Sequence, residues 1–130
     1  MALILVVDDD SDSRQVTELY LTKAGHQVQA VANGRIALVA LRTVVPDVVI
    51  LDARMPEMDG VEFLRVMQGY LRWQKLPVIV VTAYPQGPHI DELRAMGVKA
   101  ILTKGQFELA ELAICVNLVA QDPDASCQVG

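Results

Sequence analysis

The sequence predicts an α/β fold: a three-layer, doubly wound sheet of five parallel strands. Three observations lead there. Short β-branched runs such as ALILVV, VVIL, PVIVV and AILT alternate with stretches of helical periodicity. Those runs are apolar without a break, as strands covered on both faces must be. With 130 residues, 52% of them hydrophobic, the chain suffices for one domain with a substantial core. Because strand–helix–strand crossovers are right-handed, this alternation puts helices on both faces of a parallel sheet.

The first strand, residues 2–7, runs into Asp8, Asp9 and Asp10. A helix follows from the cap-competent Ser11 to Gly25, with Val16, Leu19, Tyr20 and Ala24 on one face. QVQAV (27–31) alternates polar and apolar residues, the pattern of an edge strand. Asn33-Gly34 turns the chain into a helix with Ile36, Ala37, Ala40, Leu41 and Val44 inward, closed by Pro46. VVIL (48–51) is the third strand, and Asp59 with Glu62 has capping-box spacing for a helix carrying Val61, Leu64, Met67 and Leu71. Residues 77–81 form the fourth strand; the loop YPQGP then leads to a short helix around Ile90 to Met96, ended by Gly97. AILT (100–103) is the fifth strand. The last helix, 107–121, turns Leu109, Leu112, Ala113, Val116, Val119 and Ala120 inward. Residues 1–121 thus make one domain, and 122–130 read as a disordered tail.

Composition narrows the function. A net charge of −5 without any Lys/Arg cluster excludes a nucleic-acid surface on this domain, since phosphate backbones demand a basic face. The N-terminal apolar segment has no basic leader and is too short for a signal peptide or a membrane span. A cytoplasmic protein with no membrane contact is expected. Cys115 and Cys127 lack metal-ligand spacing, and without a secretion signal they are expected to be reduced thiols.

The stretch LDARMPEMDG (51–60) poses the functional question: a buried strand ends in a carboxylate, Asp52. In an open doubly wound sheet, ligands bind beyond the carboxyl ends of the strands, where strand order reverses. At those ends stand Asp8 and Asp9, Asp52, Thr82 and Lys104, and only strand 2 contributes nothing. In the strand order 2-1-3-4-5, strands 1 and 3 are central neighbours, and three carboxylates converge. They repel one another unless protonated or neutralised. A hard divalent cation such as Mg²⁺, or Mn²⁺, suits an all-oxygen set with retained waters. Shielded in this way, Asp52 is a candidate nucleophile toward phosphorus, with Lys104 as a second positive charge and Thr82 as a hydroxyl donor. Asp10 is better placed to cap the first helix.

VVDDD, LDARMPEMDG, VVTAY and Lys104, in register over residues 2 to about 121, resemble the receiver domain of two-component response regulators, a flavodoxin-like (βα)5 fold typified by chemotaxis regulators. The resemblance implies Asp52 as acceptor of a phosphoryl group from a histidine kinase or phosphotransfer protein. It implies Asp9 as a direct Mg²⁺ ligand, Asp8 as one through water, and the backbone carbonyl of Arg54 as a further ligand. Thr82 becomes the switch hydroxyl, Lys104 the phosphoryl contact, and a downstream protein the target. Such a domain is a phospho-accepting switch and not an enzyme in the turnover sense.

The sequence departs from the family pattern in three places, the third of them a pair of residues. Ile101 stands where an aromatic switch residue is usual, and a β-branched side chain is stiff at χ1. Gly105 replaces the proline that usually follows the lysine, which removes a fixed φ. Arg54 and Tyr84 are large residues placed to overhang the site and hinder water. The last helix also carries Phe107, Ile114 and Leu118 opposite its inward face, a possible homodimer contact. Two rival readings stand beside the phospho-acceptor. One is a pseudo-receiver acting as a constitutive interaction module, with Ile101 and Gly105 as its marks. The other is a Mg²⁺-dependent phosphohydrolase, against which Arg54 occupies the position where such enzymes carry a second acid.

Overall fold

The computed structural model describes residues 1–55 and 57–127. Strands β1 (Leu3–Val7), β2 (Gln27–Val31), β3 (Val48–Asp52), β4 (Val78–Thr82) and β5 (Ala100–Thr103) alternate with helices α1 (Ser11–Lys23), α2 (Gly34–Thr43), α3 (Gly60–Gln68), α4 (Pro88–Ala95) and α5 (Leu109–Gln121). The sheet is parallel throughout, as the alternation predicts, and is ordered β2-β1-β3-β4-β5, the order expected for this fold class. β3 and β4 are buried along their whole length, whereas β2 at one edge alternates exposed with covered residues.

Side-chain parity divides the core in two. Leu5, Val7, Val49, Leu51, Val78 and Val80 face α2, α3 and α4, where they meet Leu41, Phe63, Met67 and Leu93. Ile4, Val6, Val48, Ile50, Ile79 and Val81 face the other layer and pack on Leu21 of α1 and on Leu112, Val116 and Val119 of α5. The period of two in a strand makes neighbours in sequence serve opposite layers, which is why these strands read as continuous apolar runs.

Several inward faces differ from the periodicity reading. In α1, Leu21 is the buried residue while Val16 and Leu19 are exposed. Leu19, Tyr20 and Leu21 are consecutive, so spacing alone does not decide which of them meets the sheet. In α2, Ala37 and Leu41 are buried, but Ile36 and Val44 are exposed, Val44 already lying beyond the helix. α3 ends at Gln68, leaving Leu71 in solvent; Phe63 takes its place as a wholly buried residue. Caps fix the helix starts. Asp10, not Ser11, caps α1 by accepting from the Asp12 N–H at 3.0 Å, and Asp59 accepts from the Glu62 N–H at 2.9 Å.

After α5 the described residues 122–127 follow as a turn and a short irregular stretch. The Ala125 N–H donates to the Asp122 carbonyl at 2.9 Å, and the Cys127 N–H donates to the Lys99 carbonyl at 2.9 Å. Cys127 forms a disulfide with Cys115, their Cα atoms 5.5 Å apart, where reduced thiols were expected. A return of the chain after α5 brings together two residues twelve apart in sequence, which linear spacing does not reveal. Residues 128–130 lie outside the described residues. No helix among the described residues is long and apolar enough to cross a membrane.

Phe63 fills the centre of the α2–α3–α4 layer with no solvent exposure. Phe63→Ala is expected to lower the unfolding free energy by about 3–5 kcal/mol in chemical denaturation, from lost transfer energy and the cavity left behind.

Candidate functional site

The register of β1 against β3 builds the site. Val7 pairs with Leu51, so the next residues, Asp8 and Asp52, emerge side by side at the carboxyl end of the sheet. Parity then decides the layer: Val6, Asp8, Ile50, Asp52, Val81 and Lys104 line one cavity of about 400 Å³ on the α1–α5 side. Asp8 and Asp52 are each only 6% exposed, and Asp9 is open to solvent. One oxygen from each of these three carboxylates lies within 4.8 Å of the others.

Lys104 is the counter-charge. Its Nζ donates to Asp52 Oδ2 at 3.0 Å and stands 3.5 Å from Asp8 Oδ1. The backbone N–H of Arg54 donates to the other Asp52 oxygen at 3.1 Å, and the Asp10 N–H donates to Asp8 Oδ1 at 3.0 Å. Burial nevertheless dominates at Asp52 and, with help from the Asp8 charge, raises its pKa to about 6; the Arg54 N–H and Lys104 pull the other way without prevailing. For Lys104, burial alone would lower the pKa, but its hydrogen bond to Asp52 and the charges of Asp52 and Asp8 outweigh this and raise it.

Glycines shape the rim at two points. The Gly60 N–H donates to the Ala53 carbonyl at 3.0 Å, and a Cβ at Gly60 would meet the Ala53 backbone at 3.0 Å, so the start of α3 presses directly on the residue after Asp52. Gly105 has φ +81°, within a turn closed by the Gln106 N–H donating to the Thr103 carbonyl at 3.0 Å. A proline could not take that φ. With its own N–H donating to the Thr82 carbonyl at 2.8 Å, Lys104 is therefore firmly placed by a different turn from the proline-bearing one.

Thr82 is completely buried, yet its hydroxyl is engaged locally, accepting from the Tyr84 N–H at 3.1 Å. Parity sends Thr82 to the α3–α4 side of the sheet. It shares that side with Ile101, which pairs with Val80 and packs, partly buried, on the same core. Arg54 and Tyr84 stack on each other: the guanidinium carbon lies 4.8 Å from the centre of the Tyr84 ring. Met55 and Met58 pack on the α2–α3–α4 core, consistent with a structural role. Of the proposed last-helix contact, Ile114 (64% exposed) and Leu118 are open, but Phe107 is drawn partly into the core beneath α5. Pairing alone missed two things: the Arg54–Tyr84 stack, and Arg14 Nη1 donating to the Asp8 carbonyl at 2.8 Å.

Chemically, this is a buried carboxylate of raised pKa beside a lysine and two further acids. The donor set, oxygen only and net negative, fits a hard divalent cation such as Mg²⁺ or Mn²⁺.

Residues 4–117 match the family model described as response regulator receiver domain. The chain is 35% identical over 118 residues to the regulatory protein AtoC of Escherichia coli, covering 91% of this chain and 25% of AtoC. It is 44% identical over 79 residues to the DNA-binding transcriptional regulator NtrC of Klebsiella pneumoniae, covering 61% of this chain and 16% of NtrC. The chain thus spans a quarter or less of these two relatives. Among solved structures, chemotaxis protein CheY4 of Vibrio cholerae superposes with a TM-score of 0.84 at 31% identity, covering 92% of this chain and 98% of that one. The receiver domain of sensor histidine kinase PA1611 from Pseudomonas aeruginosa, which has a magnesium ion coordinated in its active-site cleft, superposes with a TM-score of 0.84 at 26% identity, covering 93% and 98%.

The raised pKa of Asp52 has a signed consequence for stability. Between the ordinary carboxylate value of 3.8 and about 6 the unfolded chain gives up this proton and the folded chain keeps it. The folded state binds more protons there, so without divalent cations stability falls as pH rises through that window. Thermal unfolding followed from pH 4 to 7 in chelator is expected to show this fall in the wild type and a flatter profile in Asp52→Asn.

Proposed function

This chain belongs to the response regulator receiver family, and we propose that Asp52 accepts a phosphoryl group from the phosphohistidine of a histidine kinase or phosphotransfer protein. The observation that carries this reading is the contact of one ammonium, Lys104 Nζ, with both Asp52 at 3.0 Å and Asp8 at 3.5 Å, inside a cluster of three carboxylates. Asp8, Asp9 and Asp52, with the Arg54 carbonyl, would hold Mg²⁺ or Mn²⁺, which when bound supplies charge neutralisation for the acids and for the phosphoryl oxygens.

The side chains account for the remaining chemistry. One oxygen of Asp52 attacks phosphorus in line with the bond to the donor imidazole; the new O–P bond forms as the P–N bond breaks, and the imidazole leaves with a proton. Lys104 moves its ammonium from the carboxylate to the transferred oxygens, whose charge develops where the lysine already stands. The Thr82 hydroxyl is the switch. To reach the phosphoryl group it releases the Tyr84 N–H, which shifts the β4–α4 loop on the Ile101 side of the sheet. That displacement alters a surface read by a downstream protein.

The Arg54–Tyr84 stack covers the rim and hinders the water that would hydrolyse the acyl phosphate. A second reading, a constitutive interaction module, draws on the stiff Ile101 and on the local engagement of Thr82. Turnover of phosphate esters is not favoured, because Arg54 stands where a second acid would be needed.

Treatment with acetyl phosphate and Mg²⁺ followed by intact mass distinguishes these readings. One phosphoryl adduct is expected on the wild type, none on Asp52→Asn and none in chelator; an unlabelled wild type sinks the acceptor role and favours the constitutive module. After removal of the donor, Arg54→Ala/Tyr84→Ala is expected to lose its adduct faster than the wild type.

Self-association through α5 would use Ile114 and Leu118, four residues apart on its exposed side. Sedimentation of Ile114→Glu/Leu118→Glu as a monomer at a concentration where the wild type dimerises is the expected result; identical profiles remove this contact.

A further inference from the structure

We propose that the segment 122–127 is a redox-governed cover over the α4–β5 edge of the domain, latched by Cys115 and Cys127. The inference is independent of phosphorylation at Asp52. Cys115 lies on α5 with no solvent exposure, inside the core between that helix and the sheet, while Cys127 is only partly covered. The bridge and the Cys127 N–H bond to the Lys99 carbonyl at 2.9 Å together lay the segment along the start of β5. There Ser126 and Cys127 form one wall of a depression of about 450 Å³ whose other walls include Arg94, Val98 and Ile101. Pro123 and Asp124 wall a second hollow beside Met96 and Val98. Among the described residues, the hydrogen bonds of this segment are the Asp122 N–H to the Leu118 carbonyl, the turn bonds at Asp122 and the bond to Lys99. Release of the bridge therefore frees the segment and opens the α4–β5 edge around Val98 and Ile101.

The burial difference orders the chemistry. A disulfide reagent such as glutathione disulfide reaches only Cys127. The Cys127 thiolate attacks one reagent sulfur and expels one thiolate, giving a mixed disulfide. The Cys115 thiolate then attacks Cys127 Sγ and expels the second. Two protein thiols become one disulfide, and the reagent takes up the two electrons and two protons. In reverse, an incoming thiolate must attack Cys127, and the leaving group is a thiolate surrounded by apolar side chains. Such a leaving group departs slowly, so the latch opens slowly with monothiols.

The test uses the full chain. After purification without reductant, intact mass following iodoacetamide is expected to show no alkylation, and reduction is expected to admit the first alkyl group at Cys127. Hydrogen exchange of peptides covering 97–103 and 122–127 is expected to quicken by roughly tenfold or more on reduction of the wild type. Cys127→Ser should show the same fast exchange with or without reductant. Two alkyl groups on the unreduced chain, a bridge between two chains, or unchanged exchange on reduction would each overturn the proposal. Reduction of the wild type keeps the test valid even if Cys127→Ser folds poorly.

Discussion

The arrangement depends on one constraint, the parallel pairing of β1 with β3. With Val7 opposite Leu51, the two strands leave the sheet at the same level and deliver Asp8 and Asp52 side by side. Apolar residues on both faces hold that register, because a slip of one residue would turn each strand's side chains to the wrong layer. The acids are therefore crowded by the core, and the core does not permit them to move apart. Their mutual repulsion and poor solvation are offset by Lys104, and the raised pKa of Asp52 is the residue of that incomplete compensation.

Positioning of the lysine shows how an unusual local turn can still deliver an ammonium to the acids. The Gly105 turn, with its positive φ, and the bond from the Lys104 N–H to the Thr82 carbonyl anchor the loop at both ends. A different backbone solution thus presents the ammonium to the same two carboxylates. Ile101 is another matter. It occupies the same side of the sheet as Thr82 and is packed on the α2–α3–α4 core, so movement of the threonine meets a β-branched side chain with little rotamer freedom.

The strands were legible because a period of two, covered on both faces, leaves an unmistakable apolar run, and the acids at the run ends were legible because they interrupt it. The helix faces were less so. Leu19, Tyr20 and Leu21 stand in succession on α1, and only packing against β1 and β2 selects Leu21. The ammonium contact could be anticipated from strand-end position. The stacking of Arg54 on Tyr84 depends on how two loops fold toward each other, for which spacing gives no signal.

What the sequence by itself determined is the class of fold, the end of the sheet where the acids gather, and the identity of the charged residues there, since hydrophobic period and strand-end chemistry are local properties of the chain. Tertiary structure alone decided which helix residues are buried, that Thr82 and Asp52 face opposite layers, and that Cys127 returns to Cys115. Those outcomes turn on contacts between residues distant in sequence or on the packing angle of whole elements, and neither quantity is encoded in the spacing of neighbours.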